Sequence, residues 1–155
     1  MKVKSLKELR KIVEKAIDDS LENEVFEATR SEEIKSIETD VFEVYTPAMY
    51  ERRDADGIDN EKNMVHDEVK NGTIKIENIT EFNPGYKTAN LGAGLPVLIE
   101  YGHGGKHYYY DYPCSDEFCD PRPFIANTRE RLKKSGKHKE ALKNGLIRNH
   151  VKSKQ

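Results

Sequence analysis

SLKELRKIVEKAIDDSLENEVFEATRSEEIKSIETDVFEV, residues Ser5 to Val44, decides the fold. Apolar residues recur at Leu6, Leu9, Ile12, Val13, Ala16, Ile17, Leu21, Val25 and Ala28, then at Ile34, Ile37, Val41, Phe42 and Val44. Steps of three and four are the period of one helix face. Ser5, with Glu8 three residues on, forms a capping box that starts the helix. Pro47 closes the run. Ser31 can cap a second helix, but nothing between Ala28 and Ile34 forces a break. As one piece the stretch is a helix of about 60 Å, at 1.5 Å per residue. Its apolar stripe is narrow and the remaining surface charged. That suits a helix laid across a small sheet, or one that also packs against neighbouring subunits.

Working outward, Glu51 to Lys62 is polar around Asp54-Ala55-Asp56-Gly57 and reads as a loop. A hairpin follows over about 64–80. Met64 to Lys70 and Thr73 to Thr80 flank Asn71-Gly72, which supplies the positive φ angles of a type I′ turn. Ile74 and Ile76 alternate with polar residues, so one face of the second strand is apolar. Pro96 opens a short helix over about 96–102 that Gly102 ends. Tyr108 to Tyr112 reads as extended. Pro121 and Pro123 precede a helix from Phe124 to Lys134, with Gly136 after it. A last basic helix, Lys139 to Val151, is interrupted by Gly145, so the C-terminal helices occupy about 123–151. The expected fold is α+β in a single domain over 1–155. A long N-terminal helix, about 5–45, packs on a small antiparallel β-sheet, with a short helix and C-terminal helices.

Composition narrows the function. The chain has 155 residues, 35% apolar and 35% charged, with no Trp. Such a chain buries little alone, so part of its stability comes from solvated helices or from partners. The charges are segregated. From Pro121 onward eleven Lys or Arg stand against two acids, a net +9, and Met1 to Asp120 holds fifteen against twenty-six, a net -11. An acidic body with a basic tail invites a charged partner: nucleic acid, or the acidic face of another copy. A basic solvated helix is the plain alternative. Met1 to Lys15 lacks the apolar run of a secretory signal, and no stretch approaches the ~20 apolar residues of a membrane span. The expected setting is a cytosol, with Cys114 and Cys119 reduced.

Chemistry-bearing clusters are few. His103, His107, Cys114 and Cys119 are the ligand types of a structural zinc site, but paired Cys usually have two residues between them, and these have four. The reading of loop histidines and half-buried thiols stands against it. Asp54, Asp56 and Asp59 lack the spacing and closing Glu of a calcium loop. Gly102-His103-Gly104-Gly105-Lys106 lacks the leading Gly and trailing hydroxyl of a phosphate loop: Glu100 and His107 stand in those places. Glu100, Asp111 and Asp116 are carboxylates that nothing in the sequence brings together, and no nucleophile motif is present. The expectation is a protein with no catalytic residues, no cofactor and no metal.

Two stretches carry a family likeness. One is Val44-Tyr45-Thr46-Pro47, Tyr50 and Arg52-Arg53, directly after the long charged helix. The other is Ile99-Glu100-Tyr101-Gly102, then Tyr112-Pro113, then Pro121-Arg122-Pro123-Phe124 leading into a helix. In order and spacing they resemble the neck and tail-completion family of tailed bacteriophages, the minor capsid or head–tail joining proteins. In that family a short helix ends in Glu-aromatic-Gly, and Pro-x-Pro-Phe opens the last long helix. The resemblance covers about Ser5 to Leu146. It departs at Gly102-His103, where the family often has Gly-Thr or Gly-Ser, and over Lys106 to Asp120, which is longer and more aromatic.

The resemblance implies a virion component of the neck, assembled in the host cytoplasm. It would form a ring between portal or head-completion proteins and the tail-terminator or tail-tube proteins, around the path of the DNA, with no membrane contact. The motif residues Tyr45, Pro47, Tyr50, Arg52, Arg53, Glu100, Tyr101, Gly102, Pro121, Pro123 and Phe124 are then scaffold. Physical roles agree: Pro123 preorganises a helical turn, Phe124 faces the core, and Gly102 ends the short helix in left-handed geometry. Glu100 either accepts from loop amides or pairs with Arg122. The charge split points to Arg129, Lys133 and Lys139 as interface residues between copies. Two rival readings are a nucleic-acid binder using the basic segment from Arg122 to Lys154, and a small zinc domain.

Overall fold

The computed structural model describes residues 5–44, 57–80, 94–102 and 120–149. Tyr45 to Arg53, Asp54, Asp56 and the stretch containing His103, His107, Tyr108 to Tyr112, Cys114, Asp116 and Cys119 lie outside these residues. The N-terminal helix runs unbroken through four segments: α1 (Leu6–Ser20), a π-helical turn (Leu21–Val25), α2 (Phe26–Ile37) and a second π turn (Glu38–Phe42). Ser5 caps it, its Oγ accepting from the Glu8 amide at 3.2 Å. At 1.5 Å per residue the helix is about 55 Å long.

Periodicity alone does not predict the π turns, and they have a physical role. In a regular α-helix each residue advances about 100°, so Ser20 and Glu32, both buried, would lie about 120° apart around the axis. One extra residue in the turn at Leu21–Val25 absorbs about 100° of this and brings the two to one side. The long helix therefore presents two coherent faces. Ala16, Ser20, Glu32 and Ser36 lie along one, and Phe26, Glu33, Ile37 and Val41 along the other.

The second face carries the apolar core. Ile37 and Val41 meet Ile58, Met64 and Phe124, with Ile34, Phe42, Leu95, Ile99 and Ile125 around them. Met64 comes from the hairpin, whose strands β1 (Met64–His66) and β2 (Ile76–Asn78) pair antiparallel with Val65 opposite Glu77. The expected turn is present: Asn71 has φ 54° and Gly72 φ 68°, inside the Lys70–Thr73 bridge. The regular ladder is shorter than the alternation suggests, three residues a side. The His66 and Phe26 rings meet edge to face, with centroids 4.6 Å apart.

The short helix α3 (Leu95–Tyr101) begins with Pro96 in its first turn. The Leu95 amide donates to the Thr80 carbonyl at 3.1 Å and ties α3 to the end of the hairpin. Gly102 ends it at φ 64° and ψ 170°, an extended positive-φ conformation open essentially to glycine, not the left-handed helical one expected. Two helices complete the chain, α4 (Phe124–Ser135) and α5 (Lys137–Arg148). Gly136 joins them as a left-handed elbow, φ 69° and ψ 8°. Helix α5 begins earlier than expected and runs through Gly145 without interruption.

The candidate interaction face

The C-terminal helices run antiparallel along the first face of the long helix, and their inward side chains make the seam. Asn127 Nδ2 donates to Asp40 Oδ2 at 3.0 Å. Arg131 donates to Ser36 Oγ at 2.6 Å, Asp40 Oδ1 at 2.8 Å and Thr39 Oγ1 at 3.0 Å. Beyond the Gly136 elbow, Lys137 Nζ donates to Glu32 Oε2 at 2.6 Å. At the far end Arg148 Nε donates to Glu24 Oε1 at 2.5 Å, its Nη2 bonds Asp19, and Asn149 Nδ2 reaches Asp19 Oδ2 at 2.7 Å. Near this end the backbones come close. A Cβ on Gly145 would stand 2.5 Å from both Cβ and Oγ of Ser20 and 2.6 Å from a Glu24 oxygen. A side chain there has no room, which is why glycine sits mid-helix despite its propensity cost.

Electrostatics follow this geometry. The Asn149 hydrogen bond, with help from Arg148, holds the Asp19 carboxyl below its usual value, and the Arg148 hydrogen bond does the same for Glu24. Arg148 in turn is held still further protonated by Glu24 and Asp19. Part of the basic tail is therefore neutralised by the chain's own acidic helix.

Other cations of the two C-terminal helices face outward. Arg129, Lys133, Lys139 and Lys143 are exposed. Lys133 pairs with its neighbour Glu130 at 2.7 Å. Arg129, Lys139 and Lys143 make no side-chain hydrogen bond or ion pair among the described residues. Arg129 and Lys133 are four apart on α4, as Lys139 and Lys143 are on α5, so each pair shares a helix face. The three expected interface residues are thus all on the surface, and the cations that composition could not separate from them, Arg131, Lys137 and Arg148, are committed to the seam.

The motif residues that the structure describes lie at the end of α3 and the start of α4. Glu100 is buried, and its carboxylate accepts from the Ile125 amide at 2.8 Å and the Ala126 amide at 3.1 Å. The partners are amides, as one of the two expectations had it, but they belong to a helix and not to a loop. They are free donors in the first turn of α4, and a negative charge there also suits the helix dipole. The Arg122 amide donates to the Ile99 carbonyl at 2.8 Å, next to Pro121 and Pro123, which are exposed. Pro123 stands at the cap position, directly before the helix as expected, and Phe124 behind it is fully buried. Tyr101 projects from α3 and is 73% exposed. Glu33 was not singled out by sequence. It is buried on the long helix with Asn78 Nδ2 donating to it at 3.3 Å, and burial, aided by the charge of Glu100, pushes its carboxyl above the ordinary value.

Residues 5–148 match the family model described as YomN. This chain belongs to the YomN family. A relative, the SPbeta prophage-derived protein YomN of Bacillus subtilis (strain 168), is 30% identical over 162 residues, spanning 97% of this chain and 98% of that protein. No solved structure matches. The YomN match begins at the cap residue Ser5 and ends at Arg148, so it takes in both ends of the helical seam. Among the described residues of this YomN-family chain, no helix is long and apolar enough to cross a membrane, and no group of three or more His, Cys, Asp or Glu is placed to hold a metal ion.

Proposed function

We propose that this chain is a non-enzymatic structural component of a phage particle, acting in the neck as part of a ring between the portal or head-completion proteins and the tail. The observation that carries the reading is the end-to-end relation to a prophage-derived protein, which covers nearly all of both chains. The order of Glu100-Tyr101-Gly102 and Pro121-Arg122-Pro123-Phe124 narrows it to the neck and tail-completion proteins. The physical character of the fold supports it. Stability is spread along a polar helical seam, the apolar core is small, and the motif residues serve as joints between elements.

In this reading the protein works in the virion, close to the channel that the DNA traverses, and is assembled in the host cytoplasm. Its direct neighbours are further copies of itself, a portal-side protein and a tail-side protein. The test is deletion of its gene from the parent phage or prophage, followed by electron microscopy of induced lysates. Filled heads and finished tails should accumulate unjoined. Joined, infectious particles at the normal yield would remove the reading.

A further inference from the structure

We propose that the outer face of the two C-terminal helices, marked by Arg129, Lys133, Lys139 and Lys143, docks on the acidic long helix of a second copy of this chain. The proposal rests on the reading above for its setting and adds the contact itself. It starts from a division within the tail. Arg131, Lys137 and Arg148 reach the long helix and are matched there by Asp40, Glu32, Asp19 and Glu24. Those links fix the helix pair against the long helix, so the outward cations are displayed on a braced surface.

The sign pattern selects the partner. Glu130 and Glu140 are exposed on the same two helices as the outward cations. A phosphate backbone is uniformly negative and is repelled by such interspersed acids. A protein surface of mixed charge can match them one by one. The complementary surface exists on the same molecule. Asp18, Glu22, Glu38 and Glu43 lie along the long helix with no side-chain hydrogen bond or ion pair among the described residues, and Glu38 and Glu43 are exposed. From Asp18 to Val44 the helix holds ten acids against Arg30 and Lys35 alone. One copy's basic face meeting another's acidic face is a heterologous contact, since the two patches differ, and contacts of this kind generate rings when the rotation closes.

Two sets of charge reversals test it: Arg129→Glu, Lys133→Glu and Lys139→Glu on the basic face, and Glu22→Lys, Glu38→Lys and Glu43→Lys on the acidic one. Each set alone should cut the yield of joined particles by at least ~100-fold, because like charges then oppose each other across the contact. Both sets in one chain should recover at least ~10-fold of that loss, since every pair is again of opposite sign. Circular dichroism and thermal melting of each purified variant check folding, and the neutral set Arg129→Gln, Lys133→Gln and Lys139→Gln replaces any that melts early.

Normal yield from the basic-face set overturns the contact while leaving the neck reading intact, whereas normal yield after gene deletion removes that reading first. A loss that the combined set does not recover overturns the second copy as the occupant. So does salt-sensitive binding of duplex DNA by the wild-type chain that the basic-face set abolishes, because the face then belongs to nucleic acid.

Discussion

The two faces of the long helix are held by different physics. On one, Ile37 and Val41 bury against Phe124, Met64 and Ile58, and the stabilisation is the removal of apolar surface from water. On the other, the contact is made by what is missing, a side chain at Gly145, and by charged groups that must meet in register from Asp40 to Asp19. The apolar side depends on volume and tolerates some repacking. The seam depends on phase and spacing, so an addition of one carbon at Gly145 is felt along its length.

The largest effect should come from emptying the apolar side. Phe124→Ala should destabilise the protein by about 3–5 kcal/mol, as large aromatic truncations in cores do. Chemical denaturation measures it, and a loss under about 1 kcal/mol would mean that the seam alone carries the fold.

Gly145→Ala probes the other side, and there the sign is the test. Helix propensity by itself favours alanine by about 1 kcal/mol. The new Cβ would meet Ser20 on a neighbouring helix, and overpacking of this kind costs typically ~1–3 kcal/mol, so the net change should be a loss. Adding Ser20→Gly should return much of it. A more stable Gly145→Ala variant would show that the helices separate there at little cost.

Gly72→Val lies outside both faces and isolates the turn. A β-branched residue resists φ 68°, so a loss of about 1 kcal/mol or more in denaturation midpoint measurements is expected. An unchanged midpoint would mean that the short ladder adds nothing to the core it flanks.

The smallest effect should be a gain. Glu33 has its folded-state pKa raised by burial, so its contribution to stability is fully present below the unfolded value and is lost as pH rises through the folded one. Glu33→Gln keeps an acceptor for Asn78 and removes the charge. It should raise the melting temperature at neutral pH, with a gain that fades on acidification as the native carboxyl takes up its proton. Asp19 and Glu24 act in the opposite sense: with depressed values, their support is lost as pH falls. A gain that grows on acidification would show that Glu33 is not the group responsible.

Local chemistry was the most legible part of this chain. Asn71-Gly72 forces its turn through two residues, and Ser5 with Glu8 marks the helix start to the residue. The long helix was legible as a period, but steps of three and four do not distinguish even pitch from a π turn, because the extra residue matters only to a partner elsewhere in the chain. Gly145 reads as a weak point for the same reason. Its cost is local, and its use depends on Ser20, far away in sequence. Composition showed the basic tail, yet Arg131 and Arg129 differ only in the face of α4 they occupy. Glu100 was placed at its joint by the motif, with its amide partners left as one of two choices.

The π turn at Leu21–Val25 also governs which changes of length this gene can absorb. Losing one codon from that turn would restore an even pitch and swing everything before it through about 100°. Ser20 would then turn away from Gly145, and Asp19 from Asn149, though no residue of the seam had been altered. The same loss between two elements shortens a connection and leaves their faces aligned. Among relatives of this chain, insertions and deletions should therefore gather between the elements, and the count of residues from Ala16 to Val41 should stay constant even where the residues themselves drift.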